Sequence, residues 1–264
     1  MPRIEPSLGP QRHDPPLPPA PAAIPPPAQQ QQRRTTRWAW PLAALLALLA
    51  LPALAVLALR WLPPPVTAYM LESPVKPVRY RWVPARDIAE SARQAVVASE
   101  DQTFWRHHGF DLAAIRRAEA YNRNPRHHRR GASTISQQTA RNLFLWAGGG
   151  YFRKGLEALL TVLIESTWSK QRILEVYLNV AEFGPGIYGV EAAAQGFFNK
   201  PAARLSLPEA ARLAAVLPDP RRWSARNPGP YVQARAAWIM GQVANGAASP
   251  AAEEPDAPTD PGQE

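Results

Sequence analysis

Between Trp38 and Leu59 the chain carries no charged residue, and Leu, Ala and Val predominate. A helix of that length is about 33 Å long, enough to cross a hydrocarbon core. The interruptions at Pro41 and Pro52 are ones that membrane helices tolerate. Further along, the apolar positions recur at helical spacing. From Asp87 to Glu100 they fall at Ile88, Ala92, Ala95 and Val96, a single stripe. Asp111 is placed to cap a helix through Tyr121, and Ser133 to cap one through Leu145, ended by the glycines at 148–150. A long helix is expected from Phe152 to Trp168, and Ser169 caps the next through Asn179. Phe183 to Gly186 reads as a turn, followed by a short helix from Gly189 to Phe198. Ser206-Leu207-Pro208-Glu209 is a capping box with proline in the first turn, opening a helix through Leu217. A last helix runs from Tyr231 to Ala244, stopped by Asn245-Gly246. No alternating strand pattern of useful length interrupts this series, so the ordered part reads as mainly α.

The flanks read differently. The first 37 residues hold eleven prolines and a QQQQ run but few large apolar residues. Such a segment cannot bury enough surface to offset its ordering entropy. The Ala/Pro/Glu/Asp-rich stretch from 247 to 264 is equally poor in core-forming residues. The expected organisation is therefore a disordered Pro/Gln-rich tail (1–37), a transmembrane helix (38–61), one folded domain (62–246) and a disordered acidic tail (247–264). Arg33, Arg34 and Arg37 precede the apolar run and Arg60 alone follows it, which puts the N-terminus in the cytoplasm and the domain on the far side. A cleaved signal peptide is the alternative. The apolar run exceeds the usual length of such a region, so an uncleaved anchor is the reading taken.

Composition narrows the chemistry. With no cysteine, disulfides, thiolate metal sites and a cysteine nucleophile are excluded. The net charge of +9 favours anionic partners, without choosing among nucleic acid, anionic lipid and phosphorylated substrate.

Three segments carry candidate chemistry. Glu100 and Asp101 close a helix, where negative charge opposes the macrodipole. A carboxylate held there against an apolar face suits a general base, although charged residues at a helix end are also commonly just solvated. In the second segment, Ser133, Thr134, Gln137, Gln138, Arg141 and Asn142 crowd the start of a helix. Hydroxyls and free N–H groups there form a natural cradle for phosphate or sugar. Gln137 and Arg141 share one face of that helix, and Gln138 and Asn142 a neighbouring one. In the third, Glu157 lies four residues after Arg153 and three after Lys154, which is the spacing of an ordinary surface ion pair and equally of a site with a second carboxylate and two cations.

Other features are set aside. The adjacent pairs His107-His108 and His127-His128 point apart on a helix and make no pairwise metal site. Ser73-Pro74-Val75-Lys76 matches S-x-x-K, but no K-T-G follows anywhere in the chain. There is no P-loop, no Rossmann glycine pattern and no H-E-x-x-H.

Five ordered segments, AVVASEDQTFWRHHGFD, RGASTISQQTARNLFL, RKGLEALLTVLIE, SKQRILEVYLNVAEFG and GIYGVEAAAQGFFNKP, lie between Ala95 and Pro201, within a likeness that extends from about Arg79 to Met240. With them the chain resembles the monofunctional biosynthetic peptidoglycan glycosyltransferases, the family that also supplies the first domain of bifunctional penicillin-binding proteins. Two positions depart from the usual pattern: Ala132 stands where many members have glycine, and Arg141 where lysine is usual. The resemblance implies a lysozyme-like, two-lobed, mainly helical domain behind the membrane helix, with lipid II and the growing glycan strand as substrates. It implies Glu100 as the base and Glu157 as the second catalytic carboxylate. Asp101, Ser133, Thr134, Gln137, Gln138, Arg141, Asn142, Arg153 and Lys154 would bind substrate. No cofactor is required. A divalent cation, Mg or Mn, on the substrate diphosphate is left open, and with it two roles for Glu157: orienting the cations or holding that metal. The implied setting is the bacterial inner membrane, beside other cell-wall synthesis or divisome proteins, with no nucleic acid. Two rivals stand beside it, a glycan-cleaving enzyme of the same fold and a non-catalytic glycan-binding adaptor.

Overall fold

Small apolar side chains let the helices of this domain approach closely. Ala210, Ala211, Ala214 and Ala215 are all buried on one helix, and Ala92, Ala95 and Ala98 on the helix it packs against. The distance between helix axes is set by the residues at the contact. The computed structural model describes residues 40, 41, 43, 44, 47, 50–124 and 131–246. Both terminal tails, part of the expected span and residues 125–130, with the His127-His128 pair, lie outside them.

The contacts divide the chain into residues 1–50 and 51–264. In the first unit the described residues are helical. In the second, helical residues 51–59 lead into α1 (Ala68–Leu71), β1 (Arg79–Tyr80), α2 (Glu90–Glu100), α3 (Leu112–Asn122) and α4 (Ile135–Phe144). There follow α5 (Gly150–Thr167), α6 (Lys170–Val180), β2 (Glu182–Gly184), β3 (Ile187–Tyr188), α7 (Val190–Phe198), α8 (Leu207–Val216) and α9 (Pro230–Ala244). Short 3₁₀ turns lie at Ala85–Asp87 and Ala202–Arg204. In the core α8 packs against α2 and α9, while α4 packs against α5 and α6. The mainly α expectation holds.

Several local expectations need correction. α4 is capped by Thr134, not Ser133. Thr134-x-x-Gln137 completes a reciprocal capping box, whereas Ser133-x-x-Ser136 cannot. The glycines at 148–150 do not end α4, which stops at Phe144. They open α5, with Gly148, Gly149 and Gly150 all at positive φ and Gly149 at the N-cap. The Phe183–Gly186 turn lies within a small three-stranded sheet. β3 sits between β1, to which it is parallel, and β2, to which it is antiparallel. Strands of two or three residues are too short to show the alternation that reveals a strand in sequence.

Among the described residues no helix is long and apolar enough to cross a membrane. The C-terminal end of the expected span is docked on the helical domain. Val56 is fully buried in its core, and the Trp168 indole donates to the Val56 carbonyl at 2.9 Å. The Arg172 guanidinium donates to the carbonyls of Leu59 and Leu62, at 2.9 and 2.7 Å. Leu51, Leu54 and Leu57 on the same helical stretch remain exposed.

Candidate active site

Glu100 is the last residue of α2. Its Oε2 accepts a hydrogen bond from Gln138 Nε2 at 2.8 Å, and Gln138 Oε1 accepts from the Tyr177 hydroxyl at 3.1 Å. The two contacts fix the amide's orientation, because a carboxylate only accepts and so the NH₂ end must face it. Tyr177 is buried. Burial first, then the charges of Glu100 and Asp101, push its phenol well above the ordinary value against the opposing pull of Arg141. It therefore stays neutral and remains a donor.

Asp101 is turned inward. It accepts from the Ile135 backbone N–H at 3.0 Å, the first N–H of α4, a placement the helix dipole favours. His107 Nε2 lies 2.9 Å from both of its oxygens, and the Gly109 N–H donates to His107 Nδ1 at 3.1 Å. With Nδ1 accepting, Nε2 carries the proton and donates to Asp101. The Thr134 hydroxyl donates to the Gly109 carbonyl at 2.7 Å. Gly109 has φ +90°, and a Cβ there would lie 2.9 Å from Thr161 Cγ2 on α5, so only glycine lets this loop press against that helix. These contacts tie the end of α2 to the start of α4, which brings Glu100 beside Gln138.

The second carboxylate lies on α5. Glu157 is 1% exposed. Arg153 Nη1 donates to its Oε2 at 2.8 Å, and the Lys154 ammonium donates to Oε1. Lys154 Nζ also donates to Ser133 Oγ at 3.0 Å, and the Ser133 carbonyl accepts from Gln138 Nε2 at 3.4 Å. A continuous path thus runs from Glu100 through Gln138, Ser133 and Lys154 to Glu157. Nearby on α4, the Arg141 guanidinium stands over the Tyr69 ring at 5.6 Å, and its Nε donates to Asn142 Oδ1 at 3.5 Å.

Of the residues expected at the site, Glu100, Gln138, Ser133, Lys154, Arg153 and Glu157 form this one network, with Arg141 and Asn142 further along α4. Asp101, Thr134 and Gln137 are buried, and their oxygens are engaged within the protein: Gln137 Oε1 accepts from the Thr134 N–H at 3.1 Å. Sequence reasoning gave no role to Tyr177, nor to Tyr69. It set His107 aside as a metal ligand without finding its hold on Asp101. Tyr177 lies 39 residues from its partner, a distance at which no periodicity links two positions.

These residues do not by themselves build a metal site. Both Glu157 oxygens are taken by cations, and among the described residues no three His, Cys, Asp or Glu side chains gather to hold an ion.

A family model described as transglycosylase matches residues 68–244. A relative from Pseudomonas aeruginosa, named biosynthetic peptidoglycan transglycosylase, is 53% identical over 196 residues, 71% of this chain and 84% of that protein. One of the same name from Xanthomonas campestris is 52% identical over 214 residues, 77% of this chain and 86% of its own. Another, from Salmonella typhimurium, is 60% identical over 162 residues, 61% of this chain and 67% of its own.

Proposed function

The chain belongs to the transglycosylase family, and from this we infer that it is a biosynthetic peptidoglycan glycosyltransferase that polymerises lipid II into β-1,4-linked glycan strands. The observation that carries the site assignment is the hydrogen-bonded path joining Glu100 to Glu157. The reaction needs a proton acceptor at one end and positive charge at the other.

Glu100 takes the proton from the acceptor's GlcNAc 4-hydroxyl as that oxygen attacks MurNAc C1 of the growing strand. The C1–O bond to the lipid pyrophosphate breaks and the α-linked donor becomes a β bond, so the reaction inverts. Gln138, oriented by Tyr177, fixes the plane of the Glu100 carboxylate. Inverting glycosidases separate their carboxylates by about 6.5–9.5 Å to admit a water; here the acceptor hydroxyl takes that place. Pyrophosphate leaves without a proton but with its charge balanced, the part given to Arg141, Arg153 and Lys154. Glu157 orients Arg153 and Lys154. Ser133 and Asn142 contact sugar and phosphate. Asp101, Thr134 and Gln137 act through the backbone they hold. No step passes through a metal.

The substrate's lipid tail stays in the bilayer, so the site must work at its surface. The apolar run 38–61 supports a single-pass anchor with the domain outside the inner membrane. On α5, Tyr151, Phe152, Leu159 and Val162 are between 56% and 97% exposed. An apolar surface of this kind suits contact with lipid.

The test is to supply purified protein with lipid II and, separately, with finished glycan. Polymer from lipid II is the expected product. Shortening of finished glycan with no growth from lipid II would instead identify a cleaving enzyme, and neither reaction an adaptor.

A further inference from the structure

A groove of about 560 Å³ opens between α2, α6 and the loop after Asp101, and the catalytic residues proposed above do not line it. Its floor is apolar, with Ile88, Val97 and Leu174, and Trp105, 52% exposed, forms part of its wall. Two features of the charge are unequal. The acids at the groove are already engaged, Glu90 by Arg93 and Glu175 by Arg172. The exposed side chain of Arg106 makes no ion pair with any described residue. Gly246, the last described residue of the chain, also lines the groove.

We propose that this groove is the docking site of the chain's own C-terminal segment, residues 247–264. That segment starts at the groove and carries five acidic residues and no basic one, complementary to Arg106. Pro255, Pro258 and Pro261 recur every third residue. In a polyproline II helix, with three residues per turn, they fall on one edge. Such an edge, of low conformational entropy, is the kind of ligand that aromatic-lined grooves take up. Pro255 is nine residues beyond Gly246, a reach of up to about 28 Å in that conformation. The tether sets an effective concentration on the order of millimolar, so a contact with a dissociation constant of about 1 mM is already occupied half the time. Gln102, Trp105 and Arg106 belong to the loop that also holds Asp101 and His107, so the occupant bears on the segment that orders Glu100. The proposal does not depend on the reaction assigned above.

The absence of native cysteine permits a direct test in the full chain. Gln94→Cys, at the groove, is paired with Ala257→Cys, between two of the prolines. Arg116→Cys, exposed on α3 and outside the groove, is paired with the same tail cysteine as control. A disulfide needs Cα atoms within about 7 Å. The expected result is an intramolecular disulfide forming at the groove about tenfold or more faster than at the control, slowed several-fold by Arg106→Glu or by replacing the three prolines with serine. Thermal melting of each variant, before oxidation, verifies that it folds. Equal rates at the two positions, insensitivity to both sets of substitutions, or covalent dimers as the sole product would overturn the proposal, the last by assigning the groove to a second copy.

Discussion

Glu100 and Glu157 are carboxylates in one site with opposite company. Glu100 terminates α2 and meets an amide that Tyr177 orients. Glu157 sits in the middle of α5, buried, with an arginine and a lysine on its two oxygens. Its lone pairs are spent on cations, which suits the proposed role of arranging positive charge, whereas the role proposed for Glu100 is to receive a proton. Residue type is the same in both places. What differs is the contact each is seen to make, an amide held by a tyrosine for Glu100 and two full charges for Glu157, and the proposed transfer assigns them different tasks accordingly.

The comparison can be strained from the Glu157 side first. Glu157→Gln leaves Arg153 and Lys154 without their shared counter-charge. Breaking a buried ion pair costs about 3–5 kcal/mol, with the low end expected here because Lys154 is 44% exposed. Thermal melting should register that loss, and polymerisation should fall through weakened use of substrate, seen as a raised KM for lipid II. An unchanged KM would remove Glu157 from the handling of the diphosphate. On the Glu100 side, Tyr177→Phe deletes one hydroxyl and lets the Gln138 amide turn. A hydrogen bond of this kind is worth about 1 kcal/mol, so the rate should drop roughly fivefold with KM little changed. The smallest effect is expected at Asp111, outside both clusters. Burial raises its pKa, but hydrogen bonds from Thr103 and the Ala114 N–H and the charge of Arg117 outweigh this and hold it below the ordinary 3.8. Its contribution is therefore complete above pH 3.8 and lost as pH falls through the lower folded value. Stability profiles of the wild type and Asp111→Asn, about 0.3–1 kcal/mol apart at neutral pH through the lost charge at the helix N-terminus, should converge in strong acid. Parallel profiles would show that the charge is not involved.

What could be read from sequence was local. The caps at Asp111, Ser169 and Ser206 each depend on residues within three positions, and all three are present. The ion pairs of Glu157 follow from helical spacing alone. The Thr134 cap was legible too, in Thr134-x-x-Gln137, but the neighbouring serine competed for it. The joints of the site were not legible. Asp101 reaches the Ile135 N–H across 34 residues, and Lys154 reaches Ser133 across 21. Such contacts arise when packed helices bring distant turns together, and no periodicity encodes them. The same holds for Val56, which reads as a membrane residue yet is buried against the domain because Trp168 and Arg172 capture the backbone around it.

The role given to Glu100 is tested most directly by single-turnover polymerisation of lipid II with Glu100→Gln, alongside lipid II binding by the same variant. The glutamine keeps the shape and loses the base. Binding close to wild type with a rate lower by about 10²–10⁴-fold is the expected result. A rate within a few-fold of wild type would contradict the assignment of Glu100 as the group that takes the proton.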